Sequence, residues 1–238
     1  YITIQKISDL KITRKSTTDY WKYLKDKQYN RGNKKMKEIP ICVLNKQHNW
    51  IEYIKIIENT SALHNEFPQI SYDATIKVEH LLKHKKLLPK LKETGCLFIT
   101  TAVESVEEDI LQILDKGHTH DDFIQVAKNN KEIGIPLSPT FVPFTPWTTK
   151  RGFLRLLDTI AELGLIENVA PIQLAIRLLI PNKSYLLDIP DIQPHLLGYD
   201  QEALSHRWRN LDESVEDLCR EIQNIVETGA ADGILRVE

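Results

Sequence analysis

Six side chains of types that bind or move charge fall at comparable places along the chain. Lys77 and Glu79 close an alternating run, and Glu104 and Ser105 close a β-branched run. Thr140 lies late in a third run, and Arg177 interrupts the apolar text Ala175-Ile-Arg-Leu-Leu-Ile180. Gathered on one rim, cations, carboxylates and hydroxyls would suit a charged small molecule bearing ribose hydroxyls, an amino group and a carboxylate. Each residue also has a plain reading. Ser105 sits where a helix N-cap is needed. Glu104 could be a solvated loop carboxylate, and Lys77 and Glu79 could pair with neighbours. Arg177 most needs an explanation, because a charge inside an apolar strand requires a partner.

Other constellations carry less. His118 and His120 stand beside Asp121 and Asp122, but that text reads as one helix's C-cap running into the next helix's N-cap. His80 and His84 share a helix face among lysines without an HExxH pattern, so they read as a solvated face. The three cysteines, Cys42, Cys96 and Cys219, are far apart, with no CxxC or CxxxCxxC spacing. The chain therefore offers no local metal or redox motif, and no metal ligand is expected within it. GxGxxG, Walker and nucleophile-elbow texts are absent, and no catalytic residue stands out.

The elements that must position these residues follow from periodicity. Residues 70–79 alternate strictly, with Tyr72, Ala74, Ile76 and Val78 on one face and Asp73, Thr75, Lys77 and Glu79 on the other, which predicts a strand. A helix follows over 80–93 and ends at Gly95. A second strand is expected over 96–103. Ser105 with Glu108 predicts a capping box opening a helix over 106–116. Thr119 with Asp122 predicts another, opening 120–132, which Gly134 ends. A third strand over 135–144, a helix over 149–163 ended by Gly164, and a fourth strand over 170–180 complete the alternation. Period two places Gln173 and Arg177 on one face of that last strand. Residues 181–212 read as a long ordered loop, and 213–228 as an amphipathic helix through Val215, Leu218, Cys219, Ile222, Ile225 and Val226. Before residue 70 the pattern is weaker, with a strand at 39–44 and a helix at 50–66.

Strand–helix alternation predicts an α/β fold with parallel strands. A central strand of an open doubly wound sheet reads as continuously apolar. Here Asp73, Thr75, Lys77 and Glu79 share one face and Ser138 and Thr140 another, which favours an incompletely closed barrel with a wet interior. A solvent-exposed sheet face is the alternative. The organisation expected is a divergent basic segment over 1–48, a barrel core over 49–182 and a C-terminal loop and helix over 183–238.

Composition is that of an ordinary globular protein, with 42% hydrophobic and 27% charged residues. A net charge of −2 gives no global reason to expect a nucleic-acid or membrane partner. The distribution is uneven: residues 1–40 hold eleven Lys/Arg against four Asp/Glu, a net of +7, which leaves −9 for the rest. Sparse cysteines fit a reducing compartment, so a cytoplasmic location is expected. No apolar run reaches membrane-spanning length and no signal peptide is visible. The chain begins at Tyr1 and not at Met, so it is expected to be a fragment or a processed form.

Several of these texts resemble a known superfamily. Thr75-Ile-Lys-Val-Glu-His-Leu-Leu82, Gly95-Cys-Leu-Phe-Ile-Thr-Thr-Ala-Val-Glu-Ser105 and Leu114-Asp-Lys-Gly-His-Thr119 resemble radical S-adenosylmethionine (radical SAM) proteins. Phe144-Thr-Pro-Trp-Thr148 and 171–181 look like the group named for a CUAEP or CCAEP tail, although no such tail precedes Glu238. The resemblance runs from about residue 50 to 226. It implies a partial (β/α)6 TIM-like barrel. It also implies a [4Fe–4S] cluster held by CxxxCxxC after the first strand, with S-adenosylmethionine on the unique iron. The family reaction is reductive cleavage of that cofactor and hydrogen abstraction from a substrate, here an unknown small molecule or peptide, with an electron donor as partner. Carried over by position, Glu104 and Ser105 would meet the cofactor's ribose and amino end, and Lys77, Glu79, Thr140 and Arg177 would line the same pocket.

Two departures accompany it. The three-cysteine motif is absent, and Tyr1 falls just after the place where that loop should end. Ile39-Pro-Ile-Cys-Val-Leu-Asn45 lacks the family's acidic or glycine-rich turn, whereas Ile54-Lys-Ile-Ile-Glu58 and Leu63-His-Asn-Glu-Phe-Pro68 match. A frameshifted or degenerate segment over 1–48 is the expectation. Three readings follow: a radical SAM enzyme whose cluster loop lies upstream, a non-catalytic remnant without cluster and cofactor, or a nucleic-acid-binding module using the basic segment.

Overall fold

The computed structural model describes residues 2–6 and 60–231. The readings at 7–59, including the strand at 39–44 and Cys42, lie outside the described residues. Residues 60–66 are helical, as the helix expected to end at 66 requires.

A four-stranded sheet carries the fold, in the order β1 (Ile2–Lys6), β2 (Ser71–Thr75), β3 (Cys96–Glu104) and β4 (Leu137–Phe141). β2, β3 and β4 are parallel, while β1 pairs antiparallel with β2. Between β2 and β3 lie α1 (Val78–Lys83) and α2 (Leu88–Glu93). Between β3 and β4 lie α3 (Glu108–Ile113) and α4 (His120–Ile133). α5 (Lys150–Glu162) follows β4. This is the predicted strand–helix alternation.

Alternation along the strands gives the sheet two different faces. Tyr72, Ala74, Ile99, Val103, Leu137 and Phe141 pack against Val78, Leu81, Leu88, Leu91, Phe123 and Val126 of α1, α2 and α4. That side is the main core. The other face is polar or small apart from the half-buried Phe98. Strand register puts Thr75, Thr100 and Ser138 in one row across three strands, and Ala102 with Thr140 in the next. Thr75 and Ala102 are exposed; Thr100, Ser138 and Thr140 are half-buried. A two-faced sheet of this kind accounts for the broken hydrophobic runs in the sequence.

Helix ends form where cap chemistry demands. Thr119 and Asp122 make the predicted capping box: the Asp122 N–H donates to Thr119 Oγ1 at 3.1 Å, and the Thr119 N–H donates to Asp122 Oδ2 at 2.9 Å. Gly134 closes α4 in the left-handed region, φ 74. Thr149 caps α5 by accepting from the Gly152 N–H.

Three expectations are corrected. The strand expected over 70–79 stops at Thr75, so Lys77 becomes the N-cap of α1 and Glu79 lies in its first turn. The Ser105–Glu108 capping box does not form. α3 starts after Glu107, and Ser105 Oγ accepts from the Glu107 N–H at 3.1 Å, a local turn that takes the hydroxyl away from capping. The fourth strand over 170–180 is also absent. Residues Pro171–Leu174 form a 3-10 turn led by proline, and only a single parallel bridge, Phe144 to Arg177, extends the sheet beyond β4. β1 to β4 therefore form a four-stranded sheet that only this bridge extends among the described residues.

The stretch read as a long loop holds 3-10 turns and a hairpin, β5 (Leu196–Asp200) with β6 (Ser205–Trp208). α6 (Glu213–Ala231) then packs Val215, Leu218, Cys219 and Ile222 into a second core with Phe144, Phe153, Ile180 and Trp208.

Candidate functional site

The C-terminal ends of parallel strands are where an α/β sheet presents loops to a ligand. At the end of β3 the backbone takes an uncommon shape. Glu104 is left-handed, φ 70, and the register slips between Ala102 and Glu104, so a bulge sits there. Its carbonyl still accepts from the Val142 N–H at 2.9 Å, which ties the bulge to the end of β4. Left-handed backbone at a non-glycine residue costs energy that the surrounding contacts must offset.

Those contacts come from the Lys116–Thr119 turn. Lys116 Nζ donates to Glu104 Oε1 at 2.7 Å, with the two side chains 29% and 17% exposed. His118 is buried between two carbonyls: Nε2 lies 3.2 Å from Val103 O and Nδ1 3.3 Å from Lys116 O. Gly117 is left-handed, φ 66, and a Cβ there would stand 3.7 Å from Glu79 Oε2. The turn thus runs from the end of β3 past the first turn of α1, with the Glu79 carboxylate close to Gly117. The Lys-Gly-His-Thr text has a physical role at every position: ion pair, left-handed turn, pin to β3, helix cap.

The other predicted residues disperse. Lys77 is exposed at the start of α1. Ser105 is buried and held by its local turn. Thr140 lies on the polar face, with its hydroxyl 3.5 Å from Thr101 O. Gln173 accepts from the Phe141 N–H through Oε1 at 3.2 Å, near the end of β4. A crevice lined by Glu104, Ser105, Glu107, Phe153 and Leu156 has about 20 Å³ of room, enough for one water and not for a cofactor, so a ligand of cofactor size at this rim would have to lie on the open sheet face.

The guanidinium of Arg177 meets α6. It makes a two-nitrogen pair with Glu216 at 2.9 and 3.2 Å, donates to Trp208 O at 3.3 Å, and stacks 4.1 Å from the Trp208 ring centroid. Burial works against its charge, but Glu216 and Cys219 outweigh this and raise its pKa. Arg177 therefore has the partner its apolar setting required, and that partner holds the C-terminal helix to the segment that bridges to Phe144 beyond β4. Lys116 and Glu216 are the residues that sequence reasoning missed. Both are joined to their partners by folding, and no periodicity links positions 104 and 116 or 177 and 216.

An iron–sulfur cluster does not fit what is described. Among the described residues, no group of three His, Cys, Asp or Glu is placed to hold a metal ion. Cys96 and Cys219 are buried on separate elements. Burial, with a smaller push from Asp73, raises the Cys96 thiol to about 11, despite the bond to Phe98 O. Burial also raises Cys219, against the pull of Arg177. No helix among the described residues is long and apolar enough to cross a membrane.

No protein-family profile and no curated protein matches the chain. Solved structures do. The cobalamin-dependent S-adenosylmethionine radical enzyme OxsB, with aqua-cobalamin and S-adenosylmethionine bound, superposes with a TM-score of 0.61 at 13% identity. The match covers 75% of this chain and 32% of that one. The apo, selenomethionine-labelled form of OxsB gives the same TM-score and identity over 77% of this chain. The likeness is one of fold. This chain spans about a third of the OxsB chain, 32% in each superposition.

Proposed function

We propose that this chain is part of a radical SAM-type barrel and binds S-adenosylmethionine across its polar sheet face, with Glu104 receiving the ribose or amino end. The observation that carries the reading is Glu104. Its carboxylate is held in a left-handed, bulged backbone at the rim of a sheet whose fold is similar to that of a radical enzyme with S-adenosylmethionine bound. Thr75, Thr100, Ser138 and Thr140 give that face hydroxyls suited to a nucleoside. Glu79 and Lys77 flank it, while Ser105 supports the turn after Glu104. Arg177 is assigned to the docking of α6 and left out of the site.

The family reaction, reductive cleavage and hydrogen abstraction, requires neighbouring thiolates. Sulfur donors for it would have to come from outside the described residues, so the function assigned to these residues is cofactor binding. A second reading has one observation in its favour. The separate, buried thiols Cys96 and Cys219 suit a non-catalytic scaffold.

Titration calorimetry of the purified chain with S-adenosylmethionine decides between them. Micromolar binding, weakened roughly tenfold or more by Glu104→Gln as expected for loss of a charged acceptor, supports the cofactor site. Absence of binding by the unmodified chain leaves the scaffold.

A further inference from the structure

Glu104 gives only Oε1 to Lys116, at 2.7 Å. The other carboxylate oxygen has no hydrogen bond or ion pair among the described residues. Lys116 is built in at both sides. Its N–H donates to Leu111 O at 3.2 Å, and its carbonyl faces His118, which in turn faces Val103 O. The rim thus presents one open acceptor whose charge is already compensated by a fixed ammonium.

We propose that Lys116 sets the charge preference of this site: by neutralising Glu104 it makes the rim select a ligand through hydroxyl or amine donors and not through net positive charge. The inference rests on the reading of Glu104 given above. A half-buried carboxylate without a counter-ion attracts any cation placed nearby, and a compensated one attracts far less. Lys116 is here a specificity-determining residue that acts through Glu104.

S-adenosylmethionine and S-adenosylhomocysteine test this directly. They share a skeleton and differ by the S-methyl group and its sulfonium charge. Their dissociation constants for the unmodified chain are expected to lie within a few-fold of each other. Lys116→Met should shift the ratio roughly tenfold toward the sulfonium ligand. Lys116→Arg should restore the original ratio, and salt should shrink the shift. Glu104→Gln provides the reciprocal arm: it leaves Lys116 uncompensated and should move the ratio toward the neutral ligand. A purely structural lysine would weaken both ligands alike. An unchanged ratio in Lys116→Met, or Lys116→Arg behaving like Lys116→Met, overturns the inference while leaving the cofactor site standing. Binding of neither ligand by the unmodified chain removes the site and the inference together.

Discussion

Arg177 and Glu216, thirty-nine residues apart, form a two-nitrogen ion pair at 2.9 and 3.2 Å that joins the chain after β4 to α6. The Asn210 N–H also donates to Glu216, at 2.6 Å, and Asn210 Nδ2 reaches Thr148 O at 2.8 Å. The Glu216 carboxylate thus ties the Arg177 segment and the hairpin exit to the C-terminal helix, and the Asn210 side chain extends the link to the β4–α5 loop. Cutting it should loosen the second core.

Glu216→Gln is expected to destabilise the protein by about 1–3 kcal/mol. That is less than for a fully buried pair, because Arg177 keeps some contact with water. Urea unfolding of Glu216→Gln, Arg177→Met and the double variant checks this. The double variant should cost less than the two singles added together, and additive losses would show that the pair is not coupled.

The same carboxylate gives a pH signature. Burial pushes the Glu216 carboxyl up, but the Arg177 guanidinium and the Asn210 N–H outweigh it and hold the group below the usual range. A depressed folded pKa adds stability that is fully present above the unfolded glutamate range and is lost as pH falls through the folded value. The unfolding midpoint of the unmodified protein should drop on acidification below about pH 4.5. The midpoint of Glu216→Gln should drop less over the same interval. Parallel curves would mean that another group dominates.

Gly95 connects α2 to β3 with φ 94, and a Cβ there would lie 2.8 Å from the Ile70 carbonyl oxygen. Both contact and conformation oppose a side chain, and the contact is with backbone that cannot swing away. Gly95→Ala should cost more than the ~1 kcal/mol of an ordinary left-handed glycine substitution. Gly198→Ala, at φ 109 with nothing near its Cβ position, isolates the conformational part. Equal losses in the two would show that the close approach to Ile70 carries no weight.

Much of this architecture was legible because local rules and burial agreed. Thr119, Asp122 and Gly134 bounded α4 from both ends, and the polar alternation at Asp73 and Thr75 in β2 and at Ser138 and Thr140 in β4 pointed to a polar face, the expectation being a barrel's wet interior with an exposed sheet face as the alternative. The errors arose where two local rules competed. Ser105 could cap a helix or close a two-residue turn, and the turn prevailed. The text after Ala170 has strand-like composition, but Pro171 directs it into a 3-10 turn. At the site, Glu104 was legible as a rim carboxylate. Its partner Lys116 was not, because a pair twelve residues apart across a helix leaves no trace in periodicity.

The two described thiols offer a last prediction, on metal loading. Cys96 sits at the start of β3 and Cys219 inside α6, both buried, and both pKa values are raised, that of Cys96 to about 11. A thiol in that state is protonated near neutral pH, and it is the thiolate that binds metal or attacks a disulfide reagent. In a Cys42→Ser background, labelling at pH 7.5 should therefore be roughly a hundredfold or more slower for the folded protein than in urea. Anaerobic reconstitution with ferrous iron and sulfide should leave the same iron content in Cys96→Ser, Cys219→Ser and the unsubstituted background. Rapid native labelling of either thiol, or iron that disappears with one of them, would show that these cysteines are chemically available. In that case the exclusion of a cluster from the described residues fails.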